Sequence, residues 1–138
     1  MSRSIVEDAF QALASSDPDL ISAVLAEDAE WLSPPGNATA VALGAPDHMV
    51  GRAAIVQFFA VDFPRLFARD LSVVFGGVHV AGERVVVEAA VAATLANGDP
   101  YDNDYCFVVE LRGGLVRRVR EYTDTARAHR MIFGGVAR

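Results

Sequence analysis

Two alternating segments near the C-terminal end, Tyr101 to Leu111 and Leu115 to Thr123, constrain this chain most. In the first, Tyr101, Asn103, Tyr105, Phe107, Val109 and Leu111 alternate with Asp102, Asp104, Cys106, Val108, Glu110 and Arg112. Successive side chains of a strand point to opposite faces, so this pattern predicts a half-buried strand with the first set inward. Arg112-Gly113-Gly114 supplies a tight reversal. The next strand divides into Leu115, Arg117, Val119, Glu121 and Thr123 against Val116, Arg118, Arg120, Tyr122 and Asp124. The first of these sets is less charged, so Glu121 is expected to point inward. The pair then places a carboxylate (Glu121), an amide (Asn103) and a phenol (Tyr105) on one otherwise apolar face. Burying a carboxylate costs on the order of several kcal/mol unless it is protonated or paired, so the pattern argues for a ligand cavity with an acid in it.

Composition bounds the rest. A chain of 138 residues with 52% hydrophobic and 22% charged residues is expected to form one domain over residues 1–138. Such a domain buries roughly two thirds of its unfolded surface around one core. No apolar run approaches the roughly 20 residues of a membrane span. The start, Met1-Ser2-Arg3-Ser4-Ile5-Val6-Glu7-Asp8, enters an acidic helix pattern with no apolar signal core, and a cytoplasmic location is expected. The net charge of -6 disfavours nucleic acid or an anionic membrane as partner. Arg117, Arg118 and Arg120 form a local basic cluster, which Glu110, Glu121 and Asp124 offset. The lone cysteine, Cys106, excludes an internal disulfide, and its place beside Asp104 gives no electropositive setting to activate it. No histidine pair has the spacing of a zinc site, so no metal is implied. Neither a Gly-x-Gly-x-x-Gly run, a phosphate loop nor a Gly-x-Ser-x-Gly elbow is present, and no cofactor is expected.

Helical periodicity comes first along the chain. Ser4 is placed to cap a helix with Glu7 at the capping-box position, and Ile5, Val6, Ala9, Phe10 and Leu13 recur at helical spacing. Asp17 caps a second helix with Pro18 at its first position and Leu20, Ile21, Val24 and Leu25 as its stripe, up to Asp28. Ala29 to Ser33 reads as a short strand that Pro34-Pro35-Gly36 ends. Asn37 to Val50, with Gly44, Pro46, Asp47 and His48, is the longest irregular stretch and a candidate lid. Gly51 opens a third helix whose apolar face carries Ala54, Ile55, Phe58, Phe59 and Phe63, with Pro64 set to kink it. From Asp70 onward come strands: Leu71 to Phe75 and Val78 to Val80 around a Gly76-Gly77 bulge, then Arg84 to Leu95, then the pair described above. The order predicts an α+β architecture in which a curved sheet wraps around helices.

Three stretches carry a family resemblance: Ala26-Glu27-Asp28-Ala29-Glu30-Trp31, Gly51-Arg52-Ala53-Ala54-Ile55, and the closing run from Gly114 to Asp124. With the order of elements, they resemble the nuclear transport factor two-like superfamily, and within it the SnoaL-like, ketosteroid isomerase-like branch. The resemblance implies a cone-shaped α+β fold, with three N-terminal helices packed in the concave face of a strongly curved, mainly antiparallel sheet. It leaves the chemistry open, because this fold hosts isomerases, cyclases, dehydratases, epoxide hydrolases and plain binding proteins. Family pockets are lined by the first short strand, the third helix and the inward faces of the long strands. That implies ligand contacts from Trp31, Ser33, Phe58 and Phe59, and from Ala90, Phe107, Arg117 and Val119. The base, tyrosine and protonated aspartate of ketosteroid isomerase fall on Ser33, Ala9 and Tyr105, so that mechanism does not carry over. Of the limonene epoxide hydrolase triad, two positions fall on Glu88 and Ala90, and only Glu121 matches in kind. SnoaL-like polyketide cyclases need one acidic side chain inside an apolar pocket, a role Glu121 fits by type and position.

Each candidate has two readings. Glu121 is either an acid-base group or a structural partner of Arg117 on the same face, and a one-residue bulge would turn it outward. Glu88 stands as a second inward acid among Val86, Ala90 and Ala92, or as the neutraliser of Arg117. Two inward carboxylates would raise each other's pKa. Asn103 and Tyr105 either orient a carbonyl or bond to neighbouring backbone. Trp31 is core or pocket wall, with an indole N-H in reach of Glu121 or Glu88. His48, after Asp47, is either an assisting base or a solvated loop residue. Val85, Val87, Ala89, Val91, Ala93 and Leu95 are expected as an apolar stripe on the face opposite Glu88, which a homodimer through the outer sheet faces would cover. Two functions follow for a small, largely apolar carbonyl or hydroxyl compound: a cofactor-independent cyclase, isomerase or dehydratase, or a non-catalytic ligand-binding module. A Glu121 that faces an apolar cavity without Arg117 favours the first.

Overall fold

A computed structural model describes residues 1–134. Helix α1 (Ser2–Ala14) starts two residues before the Ser4 cap site and buries Val6, Ala9, Phe10 and Leu13 on one face. Asp17 caps α2 (Pro18–Val24), its Oδ1 accepting from the backbone N-H groups of Asp19 at 2.9 Å and Leu20 at 3.3 Å. The helix ends before Asp28, because Leu25 is already extended and opens strand β1 (Leu25–Leu32).

The stretch expected to be irregular holds two elements. Asn37 caps α3 (Ala38–Leu43) by accepting from Ala40 N at 3.0 Å, Gly44 ends it at φ 65°, and β2 (His48–Val50) pairs with β1. Helix α4 (Arg52–Gln57) passes into a π-helical turn (Phe58–Asp62) and a 3-10 turn (Phe63–Arg65) at Pro64. The long strands β3 (Phe67–Ala81), β4 (Arg84–Leu95), β5 (Pro100–Arg112) and β6 (Leu115–Thr123) follow, joined by tight turns. A final helix not foreseen from periodicity, α5 (Thr125–Phe133), is capped by Asp124, which accepts from Arg127 N at 3.0 Å.

The six strands form one curved sheet in the order β2-β1-β6-β5-β4-β3. Every pairing is antiparallel except β1 with β6, which is parallel. The sheet does not close into a barrel, and α1 and the π-helical turn fill its inner face. This is the α+β arrangement expected from the sequence. No helix among the described residues is long and apolar enough to cross a membrane.

Two expectations about facing are corrected. Glu88 and Ala90 are exposed on the outer face, whereas Val85 and Val87 are fully buried and Ala89, Val91, Ala93 and Leu95 are buried with them. The reason is pairing: Val87 lies opposite Phe107 and Ala89 opposite Tyr105, so the inward set of β5 selects the uninterrupted apolar set of β4. The stripe assigned to a homodimer interface is therefore core. Glu88 instead covers Gly77 outside, where a Cβ would meet its Oε1 at 2.7 Å. The second correction is a bulge: Glu110 pairs with Arg118 but Leu111 with Val116, leaving Arg117 as the extra residue. Arg117 is thereby turned out, while Val119 and Glu121 keep their inward facing.

The facing predicts a contrast in stability. Ile55, fully buried in the main core, should lose about 2–5 kcal/mol on Ile55→Ala in denaturant unfolding. Glu88→Ala should stay within about 0.5 kcal/mol of the parent.

Candidate functional site

The inner face of the sheet and the helices across it enclose a cavity. It is narrow, about 90 Å³, within about 810 Å³ of atom-free space when its mouth is counted. Phe10 comes from α1, Trp31 and Ser33 from β1 and the residue after it, Phe58 and Phe59 from the π-helical turn, and Phe107 and Tyr105 from β5. Glu121, on β6, is the one carboxylate in its wall among the described residues.

Strand pairing explains how a carboxyl group is held there. Trp31 pairs with Val119 in the parallel β1–β6 ladder, which brings the indole Nε1 to 3.0 Å from Glu121 Oε1. The Ser33 hydroxyl, also in the cavity wall, acts on the same carboxyl in the same sense. Both groups favour the ionised form, but desolvation by the apolar surroundings outweighs them and pushes the Glu121 carboxyl up to about 7. Glu121 has neither Arg117 nor any other cation against it among the described residues.

The phenol is also supported. Tyr105 lines the cavity, its ring stacked on Phe107 at 5.6 Å and 4°. Its hydroxyl lies 2.7 Å from the hydroxyl of the fully buried Tyr101. Asn103 Nδ2 donates to Tyr101 Oη at 3.3 Å and to the Asp124 carbonyl at 2.9 Å. Burial holds the Tyr105 phenol far above its ordinary range, so it remains a proton donor. Asn103 therefore stands behind the tyrosines and not in the cavity wall.

The other sequence candidates sit elsewhere. His48 lies on β2 with its Nε2 2.9 Å from Glu30 Oε1, outside the cavity. Arg117 reaches Glu30 at 3.2 Å and Asp28 at 3.4 Å, and Arg118 reaches Glu30 at 3.2 Å. Hydrogen bonds from His48, Arg117 and Arg118 hold the Glu30 carboxyl down to about 2. Glu88 and Ala90 are outside, for the reason given by the strand register, and Val119 is buried in the core without lining the cavity. Phe10, Phe63, Val91 and Tyr101 were not among the sequence candidates. Phe10 and Phe63 showed only as apolar positions of helical stripes, and Tyr101 shares the inward face with Tyr105 at a spacing that brings the hydroxyls together.

A family model described as a SnoaL-like domain matches residues 6–119. The chain belongs to the SnoaL-like family. Glu121 lies just beyond the matched segment of this SnoaL-like protein. No curated protein matches the chain in sequence. Among solved structures it is similar to an NTF2-like protein of unknown function from Burkholderia pseudomallei K96243. That pair is 22% identical over 95% of this chain and 96% of the other, with a TM-score of 0.80. TerC, crystallised with polyporic acid, is 21% identical over 96% and 98%, with a TM-score of 0.81. A candidate SnoaL-like polyketide cyclase from Jannaschia sp. CCS1 is 18% identical over 98% and 93%, with a TM-score of 0.76. At these identities the likeness establishes the fold.

The site makes stability depend on pH with a definite sign. Glu121 titrates near 7 in the fold and near 4.5 when unperturbed. Between those values the native state holds more protons than the unfolded one, so stability falls as pH rises from about 4.5 to 7. The loss is on the order of 3 kcal/mol. Glu30, depressed from 4.5 to about 2, acts oppositely, and its contribution is lost as pH falls through that interval. Melting curves should show the decline toward neutral pH in the parent and not in Glu121→Gln. Trp31→Phe removes a donor to the carboxylate, and NMR titration of the Glu121 carboxyl carbon should show its pKa rising further, by up to about one unit.

Proposed function

We propose that this SnoaL-like protein is a cofactor-independent acid-base catalyst, a cyclase, isomerase or dehydratase acting on a small, largely apolar carbonyl or hydroxyl compound. The observation that carries this reading is the Glu121 carboxyl, set in an apolar cavity with no cationic partner among the described residues and titrating near 7. A purely structural glutamate would be expected to have the arginine pairing that Glu30 has. A carboxyl poised near neutrality is instead suited both to accepting and to returning a proton.

In this reading the Glu121 carboxylate removes a proton from the carbon next to the substrate carbonyl. The electron pair moves to the carbonyl oxygen, which accepts a hydrogen bond from the Tyr105 hydroxyl. Tyr101 and Asn103 hold Tyr105 in place. The resulting enolate attacks a second carbonyl whose oxygen takes the proton from Glu121, takes that proton back at another carbon, or expels a hydroxyl that leaves as water with that proton, which are the three reaction types named. The family match and a structural relative crystallised with a small organic ligand support a cavity used for binding.

Deuterium exchange at the activated carbon of enolisable aryl ketones such as 2-tetralone tests the proton-transfer step without knowledge of the natural substrate. The protein should accelerate exchange in deuterated water, with a rate that rises with pH through about 7 as Glu121 ionises. Glu121→Gln should lose about 10²–10⁴ of that rate while remaining folded. Tyr105→Phe should lower the rate without moving the pH midpoint. A Glu121→Gln protein that exchanges the ketone as fast as the parent would overturn the assignment.

A further inference from the structure

The rings beside Glu121 form a connected cluster. The Trp31 ring lies 4.8 Å from Phe59 and 6.0 Å from Phe107, and Phe10 lies 4.9 Å from Phe107 and 6.3 Å from Trp31, centre to centre. They come from four separate elements, α1, β1, the π-helical turn and β5, so tertiary packing assembles them around the acid. Aromatic faces carry negative electrostatic potential, which attracts a cation and gains strength where water is excluded.

The rest of the wall adds no positive charge. The β3 and β4 strands contribute Leu71, Val73 and Val91, and the segment around α3 contributes the neutral polar groups of Asn37 and Thr39. The titratable groups facing Glu121 are Tyr105 and, behind it, Tyr101, both neutral. Among the described residues no arginine or histidine lines the cavity. An anionic ligand would therefore meet the like charge of Glu121 with no cation to offset it, whereas a cationic one would meet its counter-charge.

We infer that this cavity selects its ligand by charge and holds a compact alkylammonium group, with Glu121 as counter-ion and Phe10, Trp31, Phe59 and Phe107 as walls. The inference shares its cavity and its buried acid with the proposed catalytic role, but it needs no proton transfer to or from carbon. A tertiary or quaternary ammonium fits better than a primary one. A primary ammonium presents three N-H donors to a wall poor in acceptors, whereas methyl groups spread the charge over an apolar surface that the rings match. Binding such a cation favours ionised Glu121 and expels its proton, so affinity must rise with pH across the range in which the carboxyl ionises.

Trp31 is the only tryptophan of the chain and touches Glu121, which makes its fluorescence a reporter of the site. Choline and its uncharged carbon isostere 3,3-dimethylbutanol have the same shape and differ in charge. At about pH 8 choline should bind about tenfold more tightly than the alcohol, and the advantage should shrink toward about pH 6. In Glu121→Gln the ratio of the two affinities should fall to within about twofold of unity. The pH series on the parent protein tests the same point should that variant not fold. Equal or tighter binding of the alcohol at the higher pH, or choline binding that does not vary with pH, overturns the inference. Loss of charge selectivity with deuterium exchange intact would overturn this inference alone. Intact selectivity without exchange would overturn only the acid-base role.

Discussion

The hydrogen bond between Trp31 Nε1 and Glu121 Oε1 joins the strand that comes first in the sequence to the one that comes last, neighbours in the sheet, and the site depends on it. A carboxyl group in apolar surroundings needs donors, and a strand cannot easily supply them from its own backbone, which is committed to its ladders. The parallel pairing of β1 with β6 solves this by bringing Trp31 and Ser33 alongside from the other end of the sequence. Closing so long a loop is less expensive than it looks, because the entropy cost grows only logarithmically with length. The same pairing is fastened on its outer side by ion pairs of Asp28 and Glu30 with Arg112, Arg117 and Arg118. Arginines gather outside, and among the described residues the acid within is left without one.

The alternation of β5 is the part of the site most plainly written in the sequence. Its polar and apolar sets are distinct, and Tyr105 and Phe107 line the cavity as their positions imply. The following strand was legible only past the bulge, where Val119 and Glu121 face inward as expected. Arg117 carries no local mark that it is the extra residue, since the insertion is defined by the pairing of its neighbours Arg118 and Val116 with Glu110 and Leu111. Strand β4 misled for a different reason. Both of its faces are largely apolar, so the choice between Glu88 inside and Val87 inside rests on which face of β5 it meets. The Asn37 cap of α3 and the Asp124 cap of α5 were local signals of a kind the sequence does display. They were masked by the Gly-Pro-rich surroundings of the first and, in the second, by a start without any large apolar residue before Met131. The ring cluster was not legible as a cluster, because its members lie on four elements and meet only through packing.

Glu121 and Tyr105 are tuned by different means. Glu121 has direct donors and is moved toward neutrality by the loss of water around it. Tyr105 is kept as a donor by burial and steadied from behind by Tyr101, which Asn103 in turn anchors to the Asp124 carbonyl at the start of α5. The terminal helix thus bears on the cavity without lining it.

The π-helical turn at Phe58–Asp62 has a consequence for how such cavities diversify. A π-turn is an α-helix carrying one surplus residue, and the surplus rotates everything after it by about 100°. Here that rotation lies between Ile55, which is locked in the core, and Phe63, which stacks on Phe67. Losing a single residue from this turn would restore an ordinary helix and sweep Phe63 away from Phe67. The strands that hold Glu121 and Tyr105 would not move. A lineage of such proteins can therefore remodel the roof of its cavity by a one-codon deletion, a larger step in shape than most substitutions allow, while the reactive floor is inherited intact.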